Sequence, residues 1–294
     1  MNAHALAAMA LAGVAAGCGG TGVPTASEAS TPAATGSVRA SEPAPESTAG
    51  SVRTSAPSSA PSSAPASAPA TVPSSPSLAG KVVVIDPGHN GGNAAHPKEI
   101  NRQVDVITGR KPCNTTGTRT DAGYPEHAFT WDVARRLRSL LRERGAKVVL
   151  TRQDDKGVGP CVTERAAIGN RARADAVVSI HGDGAAPRGH GFHVIMPGPL
   201  PGHNDAVVAP SRRLGLAVRD AYRRGTGLPY ATYTAKNGLD TRTDLGGLNL
   251  STRPAVFVEA GNMRNRGDAA KMSDPAFRQR IAASLAAGLA AYLR

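Results

Sequence analysis

Three polar residues, His89, His181 and Glu259, stand at the ends of short runs of apolar β-formers: VVVIDPGH, AVVSIH and AVFVE. A fourth, Glu126, opens a stretch with helical periodicity. Each alone has an ordinary explanation. A histidine after a strand is usually unremarkable, and a carboxylate in a first helical turn stabilises the helix dipole by roughly a few tenths of a kcal/mol. Together they are a different matter, because two imidazoles and one carboxylate are the ligand set of a catalytic zinc site, which keeps its fourth position open for water. The remaining carboxylate would then be the base that takes the proton from that water. The spacing leaves open which glutamate ligates and which acts as base. Either way the chemistry is hydrolysis at a polarised carbonyl.

The elements that must position these residues are legible as alternating strands and helices. Val82–Ile85 is too short for an average helix and reads as a buried strand, stopped by Asp86-Pro87-Gly88 so that His89 projects from its carboxyl end. Residues 92–123 are polar apart from the alternation Gln103–Ile107 and read as a long loop with room for a small hairpin. Trp131, Ala134, Leu137 and Leu141 recur at helical spacing, with Pro125 suited to the first turn and Gly145 to the end. Strands follow at Lys147–Thr151, Ala176–Ile180, Gly191–Met196 and Ala255–Val258. Further helices are expected from Thr163 to about Ala174, from Ser211 as N-cap to Arg224, and from Ser273 to Arg294. Continuous apolar strands alternating with helices predict an α/β fold: a single domain with a mostly parallel twisted sheet flanked by helices on both faces. The four site residues would then share one edge of the sheet, the carboxyl edge where ligands collect. Arg242 and Asn249 are candidates either for substrate contact or for holding the loop before Glu259.

The chain has 294 residues and a formal charge of +12. From Cys18 to Leu78 it is almost entirely Ala, Ser, Pro, Thr, Gly and Glu, too poor in apolar surface to offset the entropy of ordering, and reads as a disordered tether, 18–78, before a domain at 79–294. Residues 1–78 hold two basic and three acidic residues, leaving 32 basic against 19 acidic, or +13, for the domain. Such a domain suits an anionic partner: nucleic acid, anionic lipid or an acidic cell-wall polymer. Aromatics are only 3% and do not interleave with basic residues, which argues against nucleic acid. Residues 5–17 form a 13-residue apolar run, the length of a secretory signal core and too short to span a bilayer, so 1–17 reads as a signal peptide. Its end, Ala15-Ala16-Gly17-Cys18, resembles a bacterial lipoprotein processing site, which implies cleavage before Cys18 and a lipid on its sulfur as the only membrane attachment. The alternative is an ordinary cleaved signal. Cys113 and Cys161 remain, both in loops; in an exported protein they most simply form one disulfide, worth about 4 kcal/mol by loop closure, with a pair of thiol metal ligands as the alternative.

DPGHNGG with His89, Glu126 ahead of a long helix, Arg165 and Asn170 ahead of VVSIHGDG, and PAVFVEAGNMRN occur in an order that resembles the zinc-dependent N-acetylmuramoyl-L-alanine amidases of the bacterial cell wall. The resemblance spans residues 80–294. It implies Zn2+ held by His89, Glu126 and His181, with Glu259 as the catalytic residue, and cleavage of the amide between N-acetylmuramic acid and the first L-Ala of the peptidoglycan stem. The family often carries Asn where this chain has Asp183, and an aromatic where Asn262 stands, while Asn265 matches. The expected protein is an exported monomer acting on peptidoglycan. The alternatives are a zinc peptidase cutting a stem or cross-bridge peptide bond and a non-catalytic cell-wall-binding lipoprotein.

Overall fold

A computed structural model describes residues 77–294; the signal, Cys18 and nearly all of the tether expected above lie outside the described residues. The elements in chain order are β1 (Val82–Pro87), a single 3-10 turn (Asn93–Ala95), α1 (Pro97–Ile100), β2 (Gln103–Asp105), β3 (Arg110–Pro112), α2 (Glu126–Glu143), β4 (Lys147–Leu150), α3 (Val162–Arg171), β5 (Ala176–Asp183), β6 (His193–Pro197), α4 (Asp205–Thr226), β7 (Leu239–Arg242), α5 (Gly246–Asn249), β8 (Ala255–Asn262), α6 (Arg266–Ser273) and α7 (Pro275–Leu293).

Six strands form one sheet in the order β4-β1-β5-β8-β6-β7. The pairs β4–β1–β5–β8 are parallel, β6 runs antiparallel to β8, and β7 is parallel to β6. Side chains alternate between the two faces of each strand. Val83, Ile85, Val178, Ile180, Val256 and Val258 point to one face and build the main core with Leu137 and Leu141 of α2, Leu214 and Val218 of α4, and Ile281, Leu285 and Leu289 of α7. The other face carries a smaller apolar group, Val177, Ile195, Ala255 and Phe257, roofed at Leu245 and Leu248. Among the described helices, the short α3 and α5 lie over it. The sheet is thus flanked on both faces, heavily on one and thinly on the other.

The structure shifts several expected boundaries. Leu78, taken as the last tether residue, is 1% exposed and its N–H donates to the Arg144 carbonyl at 2.7 Å, so packing begins there. The β1 strand runs on through Asp86 and Pro87, which pair with Ser179 and Ile180. Proline is tolerated because β4 has already ended at Leu150, leaving no partner for the missing N–H on that side. Helix α4 starts at Asp205, not Ser211. Pro210 lies inside it, and Ser211 is buried, its Oγ accepting from the Ala255 N–H at 3.0 Å rather than capping. The final helix starts at Pro275 rather than Ser273, capped by Asp274, whose side chain accepts from the Ala276 N–H, and a further helix, α6, precedes it. The loop 92–123 contains α1 and the β2–β3 hairpin, and the Thr- and Gly-rich stretch before β8 contains β7 and α5.

Candidate metal centre

The polar end of β1 is held by two arginines. Arg165 of α3 donates to Asp86 Oδ1 (2.7 Å), the Pro87 carbonyl (2.7 Å) and the His89 carbonyl (2.8 Å), and Arg152 donates to the Pro87 carbonyl at 3.0 Å. Asp86 also accepts from Thr151 and Ser179. Burial would raise its carboxyl, but Arg165 and these hydroxyls hold it down at about 2. This clamp fixes a turn in which His89 adopts φ 59°, uncommon for a residue with a side chain.

In that conformation His89 reaches Glu126. Its Nε2 lies 3.0 Å from Glu126 Oε1, while its Nδ1 faces the Thr115 carbonyl at 3.0 Å. His181 Nδ1 lies 2.9 Å from the same Oε1, which also accepts from the Gly182 N–H, and Oε2 accepts from the Thr118 N–H at 2.9 Å. The side chains of His89, Glu126 and His181 are 10%, 5% and 12% exposed. Burial acts to raise Glu126, but the two histidines outweigh it and hold the carboxyl well below the usual range. The carboxylate is therefore ionised and the three residues offer donor atoms within 4.8 Å of one another.

This cradle has the chemistry of a cation site. Two neutral imidazoles and a carboxylate suit zinc, and the Thr115 carbonyl on Nδ1 leaves His89 Nε2 facing the cradle. The room is made by glycines: a Cβ at Gly88 would lie 2.2 Å from the His181 ring, and one at Gly117 would lie 2.7 Å from Glu126 Oε2 and 2.8 Å from the His89 ring.

Glu259 sits beside the cradle, directly opposite His181 in the β5–β8 register. Its Oε2 is shielded from solvent and has no hydrogen-bond partner among the described residues. Burial first, then the charges of Glu126 and Asp183, push its carboxyl well above the usual range. It differs from Glu126 in its contacts: Glu126 meets both histidines, whereas Glu259 Oε2 has no hydrogen-bond partner among the described residues.

All four expected site residues meet at the carboxyl edge of the sheet, where the site opens onto its thinly covered face. The Cys113 and Cys161 sulfurs are joined to each other, tying the hairpin to the start of α3, away from the cradle. Asn249 is buried and donates to the Val106 and Thr243 carbonyls, so it holds the loop. Arg242 lines the cavity at the site and is paired with Asp244. Asn262 donates to the Ala186 and Gly189 carbonyls, and Asn265 caps α6. Sequence reasoning missed Thr115, Thr118 and Gly182 as partners of the cradle, because two of the three act only through backbone atoms and Thr115 largely so. It also missed the buried Arg152.

A sheet with a two-histidine, one-carboxylate cradle beside a partly buried glutamate suits a hydrolase of the α/β class. The chain belongs to the N-acetylmuramoyl-L-alanine amidase family, whose model matches residues 83–291. It is 44% identical over 218 residues to the N-acetylmuramoyl-L-alanine amidase Rv3717 of Mycobacterium tuberculosis, covering 74% of this chain and 88% of that protein. Its fold is similar to that of the N-acetylmuramyl-L-alanine amidase Ami1 from Mycobacterium smegmatis, at 45% identity and a TM-score of 0.70, covering 74% of this chain and 98% of that one. The apo form of Ami1 from Mycobacterium abscessus matches at 45% identity and a TM-score of 0.70, over 74% of this chain and all of the other. The protein is an amidase of the cell-wall hydrolase kind.

Proposed function

We propose that the chain cleaves the amide between N-acetylmuramic acid and L-alanine in peptidoglycan with a zinc ion held by His89, Glu126 and His181, and with Glu259 as the base. The observation that supports this most is the pairing of a three-donor cradle with a shielded, partnerless Glu259 Oε2. When bound, zinc supplies Lewis acidity, polarising a carbonyl and acidifying water. Glu259 takes the proton of the attacking water on its carboxylate and returns it to the nitrogen of L-Ala as the C–N bond breaks. A raised proton affinity suits both halves of that transfer. Glu126 stays ionised throughout and keeps the two imidazoles in place.

The remaining features fit an extracytoplasmic enzyme: the signal-like residues 1–17, the tether 18–78 with a lipid on Cys18, the Cys113–Cys161 pair, and a domain, 79–294, working as a monomer with its net +13 charge directed at an anionic wall. No described helix is long and apolar enough to cross a membrane. The test is to incubate the zinc-loaded protein with a muramyl peptide and identify the products by mass. Intact muramic acid with a free L-Ala amino terminus supports the reading; a cut within the peptide replaces it with a zinc peptidase.

A further inference from the structure

The cavity at the metal centre does not end at the reacting groups. Its volume is about 480 Å³, and beyond His181 and Glu259 it continues along the thinly covered face of the sheet. Glu259, Phe257 and Ala255 alternate onto that face from β8, as His181, Ser179 and Val177 do from β5. From Glu259 down to Ala255 is four residues, roughly 13 Å at about 3.3 Å each. Phe257 stacks under His181 at 3.9 Å between ring centroids, so the first surface below the cradle is an aromatic face. Val162 and Ala166 of α3 form one wall, and Leu245 and Leu248 around α5 form the other.

Two features mark this lower part as built to be filled by something apolar. Val177, Leu245 and Phe257 pack in the apolar group of this face yet remain only partly buried, and all three line the cavity. The polar side chains lining the same space are already engaged: Ser179 donates to Asp86, Asp86 is held by Arg165, and Ser251 donates to the Arg253 carbonyl. The space thus offers apolar contact and little polar recognition, and it is continuous with the cradle.

We propose that this is a binding pocket for an apolar substituent flanking the carbonyl-type head that occupies the metal centre, and that it accepts groups much larger than the methyls carried by the lactyl and L-alanyl units. The inference rests on the zinc reading above. The probe is a series of straight-chain hydroxamates, from aceto- through butano-, hexano- and octanohydroxamate, whose heads chelate zinc. Their affinities for the zinc-loaded full chain are measured by calorimetry. Burial of each added methylene tightens binding about fourfold until the chain meets the floor of the pocket, after which the gain stops. Val177→Phe narrows the pocket from the sheet. Gly247→Leu does so from α5, at a position where a Cβ meets no atom within 4 Å, so folding is preserved. Both variants are expected to bind acetohydroxamate as the parent does and to lose the gain with length. An affinity independent of length in the parent, or a gain that survives in both variants, overturns the pocket while leaving the amidase reading standing. A chain that takes up no zinc overturns both.

Discussion

Asp86 and Glu259 are both partly buried carboxylates, and the contrast between them shows that hydrogen-bonded partners decide whether burial prevails. Asp86 has Arg165, Thr151 and Ser179 within hydrogen-bond reach and is held at about 2, below its ordinary 3.8. Its folded-state value is depressed, so its contribution to stability is fully present above about pH 4 and is lost as pH falls through about 2. The shift corresponds to about 2 kcal/mol. Asp86→Asn is therefore expected to lower stability at neutral pH by that order and to flatten the loss between about pH 4 and about pH 2, measured by urea unfolding across that range. An unchanged acid profile would show that Asp86 is not the group responsible. Glu259 has no such hydrogen-bonded partner, so burial first, then the charges of Glu126 and Asp183, outweigh Arg242 and push it the other way.

At the level of elements, the strand ends and the hairpin decide the site's precision. His89 is set by a turn that two arginines clamp, and Thr115, which orients its ring, lies just beyond the hairpin that Cys113 ties to Cys161. The sequence separation of 48 makes that cross-link worth about 4 kcal/mol in the chain-entropy model. Replacing both cysteines with serine should lower the unfolding free energy by roughly that amount, read from urea denaturation; an unaltered midpoint would mean that the reduced loop is already constrained. The strands carrying His89, His181 and Glu259 were legible because consecutive β-branched residues have few other uses. The helix over 205–226 was read six residues short at its start because Pro210 followed by Ser211 imitates a helix start. β7, α5 and the three-residue strands of the hairpin were hidden by polar and glycine-rich composition, since tertiary contacts such as those of Asn249 order them rather than local propensity. Which face of the sheet the site occupies follows from strand pairing, and no single strand's sequence contains it.

The described domain, residues 77–294, is a thick helical layer on one face of a sheet and a thin one on the other, with the candidate site opening on the thin side. α2 therefore has two duties. Its inner face, with Val133, Leu137 and Leu141, seals the core, while Arg135 and Arg142 are exposed. If the domain's positive charge draws it to an anionic wall, Arg135→Gln with Arg142→Gln should weaken sedimentation with purified cell walls and reduce its dependence on salt. Equal binding and an equal salt response would make these arginines only a solvated face. The same two-sided build separates stability from catalysis: Leu285→Ala, fully buried in α7, is expected to cost about 2–5 kcal/mol in unfolding free energy without removing zinc from the cradle.

The roles of the two glutamates carry the account, and zinc content measured alongside turnover of a muramyl peptide separates them most directly. Glu259→Gln should retain zinc and lose turnover by about 10²-fold or more, whereas Glu126→Gln should lose the zinc itself. A Glu259→Gln chain without zinc, beside a Glu126→Gln chain that keeps it, would contradict the assignment.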